Sequence, residues 1–123
     1  MPAWSPRADL GPYRKEIDIP VVVAGRDTGA EQRDVFQVLS LPSSVDFQGT
    51  VESVALAHES HIEVSLWEDH HRLAAVIIPV RPGSAGPVHL RGIPTRTGAH
   101  EVRVRARVGA ASVRGRLVVQ NVA

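Results

Sequence analysis

Residues 100–108, HEVRVRARV, decide the fold class. In an extended chain Val102, Val104, Ala106 and Val108 fall on one side, and Glu101, Arg103, Arg105 and Arg107 on the other. That period of two marks a strand with one face on a core and the other in water. On the C-terminal side GAAS, residues 109–112, reads as a loop before another strand over residues 113–120. On the N-terminal side PTRTG, residues 94–98, reads as a turn. Before it, Val88, Leu90 and Gly92 alternate with His89 and Arg91.

Further back, residues 73–80, LAAVIIPV, are apolar on both faces. Pro79 and the β-branched run favour a strand there over a helix. EDHHR, residues 68–72, reads as a polar turn with Glu68 and Asp69 in solvent. In residues 61–67, Ile62, Val64 and Leu66 face one way, and His61, Glu63, Ser65 and Trp67 the other. Residues 51–57 and 34–41 are further runs, and PSSVDFQG, residues 42–49, reads as turn-rich. Ile17, Ile19, Val21 and Val23 form a first strand that Pro20 marks as an edge. About eight short strands spaced roughly 8–12 residues apart, with no amphipathic helix, predict an all-β sandwich or small barrel.

The 123 residues suffice for one domain with its own core. Residues 1–15, interrupted by Pro2, Pro6, Gly11 and Pro12, read as an N-terminal arm, and residues 16–123 as the β-sandwich domain. The absence of cysteine excludes a disulfide scaffold, thiolate catalysis and cysteine-held metal centres. The first twenty residues contain four prolines and mixed charges, which is not a secretory leader. The longest uncharged apolar run, residues 73–80, falls far short of the roughly 20 residues a spanning helix needs. A cytoplasmic protein without a membrane segment is the expectation.

Residues 87–120 resemble the closing strands of immunoglobulin-like and fibronectin type III-like sandwiches. Leu90, Pro94, Gly98, Val102, Val104 and Ala106 sit at matching places, and His100 stands where those folds carry a corner tyrosine. The paired cysteines and core tryptophan of antibody domains are absent. The resemblance implies an immunoglobulin-like β-sandwich of about seven to eight antiparallel strands, with His100 bonded back to the preceding turn. It carries no function with it.

Six histidines are the first candidates for chemistry. His58 and His61 lie three apart and point to opposite faces of an extended chain; His70 and His71 are neighbours in a turn. No three ligands share a face, so neither a metal nor a cofactor is expected. No nucleophile elbow or phosphate loop occurs, which argues against an enzyme.

The arginines are more specific. If residues 101–108 and 113–120 form a hairpin, Val108 meets Val113, Arg107 meets Arg114 and Arg105 meets Arg116, with Arg103 extending the row. Like charges directly opposite one another destabilise, unless acids interleave or a partner neutralises them. Glu63 is the candidate interleaving acid. Residues 1–61 carry five bases and nine acids, and residues 62–123 nine bases and four acids. Contact between unlike surfaces of identical copies would use that asymmetry. Trp67, outward or at a strand end, is either an interface anchor or an edge cap. The resulting expectation is a non-catalytic interaction or assembly module. It binds another protein or copies of itself through Arg103, Arg105, Arg107, Arg114, Arg116 and Trp67. The alternatives are a metal-binding sandwich enzyme using the histidines, and an arginine-face nucleic-acid binder. The last lacks the basic excess and exposed stacking aromatics such binders use.

Overall fold

The computed structural model describes residues 14–25, 31–54 and 58–121. Eight strands follow one another: β1 (Arg14–Gly25), β2 (Gln32–Val38), β3 (Ser43–Ser53), β4 (Ser60–Glu68), β5 (His71–Val80), β6 (Ala85–Gly92), β7 (Gly98–Val108) and β8 (Ala110–Asn121). They form two antiparallel sheets, in the orders β1-β8-β3-β6 and β2-β7-β4-β5. The expected all-β, two-sheet sandwich is therefore present. Residues 1–13, most of the expected arm, lie outside the described residues, and β1 starts at Arg14.

The strand order differs from the immunoglobulin arrangement, in which the first two strands share a sheet. Here only the β4–β5 connection stays within a sheet, and each other step along the described strands passes to the opposite one. An eight-strand sandwich wound in this way is a jelly roll. The alternation in residues 100–108 is equally compatible with both, because each buries one face of every strand.

Inward rows from both sheets make the core. Val45, Phe47 and Val51 of β3 and Val113, Leu117 and Val119 of β8 meet Ile62, Val64 and Leu66 of β4 and Val102 and Val104 of β7, all buried. Each such side chain stabilises by roughly 1.5–3 kcal/mol relative to exposure. The segment expected as turn-rich, residues 42–49, is instead the start of β3. Its Val45 and Phe47 alternate inward, and two serines before them are buried as well. Gly49 and Gly115 face each other across β3 and β8. A Cβ on Gly115 would lie 2.5 Å from the Gln48 carbonyl and 2.7 Å from the tip of the Phe47 ring. The bare backbone there is what admits the ring.

Pro20 lies in an edge strand, as expected, where the β1–β8 register shifts between Ile19 and Val22. The hairpin between β7 and β8 is not formed. A single residue, Gly109, joins them with φ +71°, too short a link for a β-hairpin loop, and the chain crosses to the other sheet. Buried Ser60 clasps the crossing: its Oγ donates to the Ala110 carbonyl at 3.0 Å and accepts from the Ala110 amide at 3.2 Å. A side chain at residue 109 would run into Ser60.

Val102, Val104, Leu117 and Val119 are buried as expected, but Val108 is 44% exposed. The cause is a bulge. Ile62 pairs with Ala106 and His61 with Val108, which leaves Arg107 as an extra residue and turns Val108 to the outer face.

Candidate interaction face

β7 sits between β2 and β4, so its outward residues Glu101, Arg103, Arg105 and Arg107 run down the middle of one sheet's outer surface. Glu63 of β4 lies directly opposite Arg105. Its carboxylate, only 9% exposed, accepts from Arg105 Nη2 at 2.9 Å and Nε at 3.2 Å, and from Arg72 Nη1 at 3.3 Å; Arg107 Nη1 lies 3.5 Å away. Three guanidiniums thus share one anion. Arg105 and Arg107 remain 50% and 49% exposed. The interleaving acid expected at Glu63 is in place.

Arg103 is used differently. Its guanidinium stacks on the outward, half-buried Trp67 ring at 4.1 Å, and its Nε donates to Glu101 at 2.8 Å. Trp67 Nε1 donates to Ser65 Oγ at 2.7 Å. Such a stack contributes roughly 0.5–1 kcal/mol at an exposed site. Arg33 of β2 lies directly opposite Arg103, and Glu31 sits between them, 3.1 Å from one Nε and 3.9 Å from the other. On this face five arginines meet three glutamates, around a depression of about 300 Å³ lined by Trp67, Ser65, both Glu31 and Glu63, and Arg72, Arg103 and Arg105. Exposed Val35 and Ile77 flank it on β2 and β5.

The other two expected site residues are elsewhere. Arg114 and Arg116 belong to β8, in the opposite sheet. Arg116 pairs with Glu16 of β1 at 2.9 Å, and Arg114 lies beside Thr50 of β3. The expected Arg–Arg pairs of a β7–β8 hairpin therefore do not exist; the strand facing Arg105 carries an acid.

A buried ionic cluster escaped the sequence reading. Glu68, expected in solvent, is buried together with His100. His100 Nε2 donates to Glu68 Oε2 at 2.9 Å and Nδ1 donates to the Gly98 carbonyl at 2.9 Å. Both ring nitrogens thus face an acceptor, which fixes the orientation of the ring between the carboxylate and the turn. The bond back to the turn expected of His100 is the one to Gly98. Glu68 also accepts from the Thr95 amide at 2.8 Å, from the Arg96 amide at 3.2 Å and from the Thr95 hydroxyl. Burial alone would raise this carboxyl. The Thr95 hydroxyl, His100 and the two amides outweigh burial and hold it at about 2, against an ordinary 4.5. The signal was available: Glu68 continues the inward row Ile62, Val64, Leu66 by one more step of two.

The remaining histidines are dispersed. His61 pairs with Glu59 at 2.8 Å and His89 with Asp46 at 3.3 Å, while His58, His70 and His71 are exposed. Among the described residues no group of three metal-ligating side chains is arranged to hold an ion. No helix there is long and apolar enough to cross a membrane.

No protein-family model and no curated protein matches the chain. Its fold is similar to that of a chain in the crystal structure of the T13 IBDV viral particle, with a TM-score of 0.67 and 12% identity, over 89% of this chain and 31% of that one. It thus spans under a third of that relative's length. A chain from the Bacillus endospore appendages, a family of disulfide-linked pili, aligns at a TM-score of 0.48 and 8% identity, over 89% and 87% of the two chains. At such identities the likeness to the viral-particle chain establishes the two-sheet sandwich fold and nothing beyond it.

Proposed function

We propose that the chain is a non-catalytic structural or assembly module that binds an acidic protein surface through the outer face of β2-β7-β4-β5. The observation that carries this reading is Glu63: one carboxylate shared by Arg72, Arg105 and Arg107, leaving uncompensated guanidiniums half in solvent. A planar guanidinium grips a carboxylate through two hydrogen bonds, and arginine and tryptophan are the side chains enriched at interface centres. Arg103 and Trp67, stacked on each other, supply a preorganised wall beside the free charges. Arg114 and Arg116 lie on the opposite face and take no part. A relative of the same fold that belongs to a viral particle supports an assembly role.

The test is capture of binding proteins on immobilised wild-type chain and on an Arg105→Gln/Arg107→Gln variant. An acidic protein retained by the wild type, lost by the variant and released as salt rises past physiological strength supports the reading, since exposed charge contacts are screened over about 8 Å. Equal retention by both overturns it.

A further inference from the structure

We propose that β5 is a self-pairing edge: two copies of the chain join through antiparallel β5 strands about a two-fold axis at Val76. The inference rests on the assembly reading above but uses a different surface.

Among the described residues four strands have an open side: β1 and β6 in one sheet, β2 and β5 in the other. Open edges are templates for pairing, and proteins blunt them with proline, charge, bulges or shortness. β1 is interrupted at Pro20 and by its register shift. β6 carries Pro87 in mid-strand together with His89 and Arg91. β2 is seven residues long and contains Arg33 and Asp34. β5 is not blunted in its middle. From Leu73 to Val80 it has no charged side chain, the longest such run in the described strands. Its outer row, Ala75, Ile77 and Pro79, is exposed, and its inner residues Val76 and Ile78 pack on the core only in part.

The backbone of that edge is available. Residues of an antiparallel strand aim their N–H and C=O groups alternately to one side and the other. Pro79, opposite His61, has no N–H, and a strand proline sits where that group would face away from its neighbour. Ile77 and Ala75 are two and four residues from it in an unbroken register, so their N–H and C=O groups also point outward. Among the described residues no strand lies on that side.

The occupant is set by charge and by symmetry. A strand free of charge over eight residues offers nothing to neutralise a charged partner, and a second β5 brings none. The two interruptions of β5 are Pro79 and Leu73, the residue left over where Leu66 pairs with Ala74 and Trp67 with Arg72. They stand three residues on either side of Val76. About an axis at Val76, Pro79 of one copy falls opposite Leu73 of the other, so the missing donor meets the place where the ladder is already broken. Between these ends Ala75 pairs with Ile77 of the second copy in both directions, and each pair exchanges both its hydrogen bonds. Val76 meets Val76 as a non-hydrogen-bonded pair, with Cα atoms about 4.5 Å apart. The flanking Arg72 and Arg81 of the two copies come near each other at each end. Salt therefore tightens this pairing, whereas it loosens contacts of the arginine face.

The chain has no cysteine, so Val76→Cys places a lone thiol on the axis. Under mild oxidant it should form a disulfide-linked dimer at least about tenfold faster than Val35→Cys, on the far edge of the same sheet, because pairing holds the thiols at high effective concentration. Light scattering should find a wild-type dimer that strengthens with salt. Ala75→Pro, which removes an outward donor and none used by β4, should make it monomeric with the β spectrum retained. If Ala75→Pro fails to fold, the cysteine pair decides. A monomeric wild type, or equal linking of the two cysteine variants, overturns the proposal. A monomer that still takes up an acidic protein through Arg105 and Arg107 overturns it while leaving the proposed function in place.

Discussion

Glu68 Oε2 and His100 Nε2 lie 2.9 Å apart with both side chains almost wholly withdrawn from water. The carboxylate is the hub of one end of the sandwich. It ties the last residue of β4 to His100, the third residue of β7, and to the Thr95–Arg96 turn between β6 and β7.

Stability should fall in acid because of this group. The folded Glu68 carboxyl titrates at about 2 and the unfolded one near 4.5, so the unfolded state binds more protons between those values. Its contribution, on the order of 3 kcal/mol, is complete above pH 4.5 and disappears as pH falls toward 2. Urea midpoints measured from pH 6 to pH 2.5 should show the decline. In Glu68→Gln the overall midpoint is lower at pH 6 and the decline is shallower. An unchanged slope in the variant would assign the acid sensitivity to other carboxyls.

Gly115→Ala should destabilise by about 1–3 kcal/mol or more, since overpacking forces backbone shifts. The added methyl meets the buried Phe47 ring and the backbone carbonyl of Gln48, which β3 holds between its neighbours β6 and β8. Thermal melts of Gly115→Ala and of Gly86→Ala, where nothing lies within 4 Å of the added Cβ, make the comparison.

Leu117→Ala should cost about 2–5 kcal/mol, as a buried leucine truncated in a packed core does. Val108→Ala should cost well under 1 kcal/mol because the Arg107 bulge has turned that valine outward. Similar losses at the two positions, read from denaturant midpoints, would place Val108 back on the core row.

A double-mutant cycle on Arg105→Gln and Arg116→Gln should give a coupling energy within about 0.3–0.5 kcal/mol of zero, as for distant sites. The two side chains sit on opposite faces of the sandwich and pair with Glu63 and Glu16 respectively. Each single change should cost at most about 1 kcal/mol, the scale of an exposed ion pair. A stabilised double variant would instead indicate two arginines repelling each other across a hairpin.

Much of the architecture is legible from period-two alternation. It assigns Ile62, Val64, Leu66, Val102, Val104, Leu117 and Val119 to the interior, and Arg103, Arg105, Arg107 and Trp67 to the exterior. It is blind to which strands pair. Residues 100–108 and 113–120 look the same whether they are neighbours in a sheet or face each other through a core, and the one-residue link at Gly109 decides the matter. It is also blind to bulges, which change the parity from one residue to the next, as at Val108. Ser43, Ser44, Asp46 and Gln48 made residues 42–49 resemble a turn, although Val45 and Phe47 keep the alternation through them. The positive face was half legible. The outward places of the β7 arginines and of Glu63 follow from local alternation; Arg72 joins them across the β4–β5 hairpin, whereas Arg33 and Glu31 arrive through the pairing of β2 with β7, strands far apart in the chain.

The crossing of the chain from sheet to sheet dictates how it must fold. Among the described strands only β4 and β5 are neighbours both in sequence and in a sheet, joined by the tight turn at Asp69 and His70. Each other pairing closes a longer loop, up to β1 with β8, where Arg14 meets Gln120. Loop closure must precede the contacts that reward it, so folding should run on the millisecond-to-second scale typical of all-β topologies rather than in microseconds. The β4–β5 hairpin can form long before the remaining pairings are in place. During that interval the charge-free run from Leu73 to Val80 is presented by a chain that has not yet buried its core. Yield on refolding should therefore fall steeply with protein concentration, and Ala75→Pro should relieve that loss.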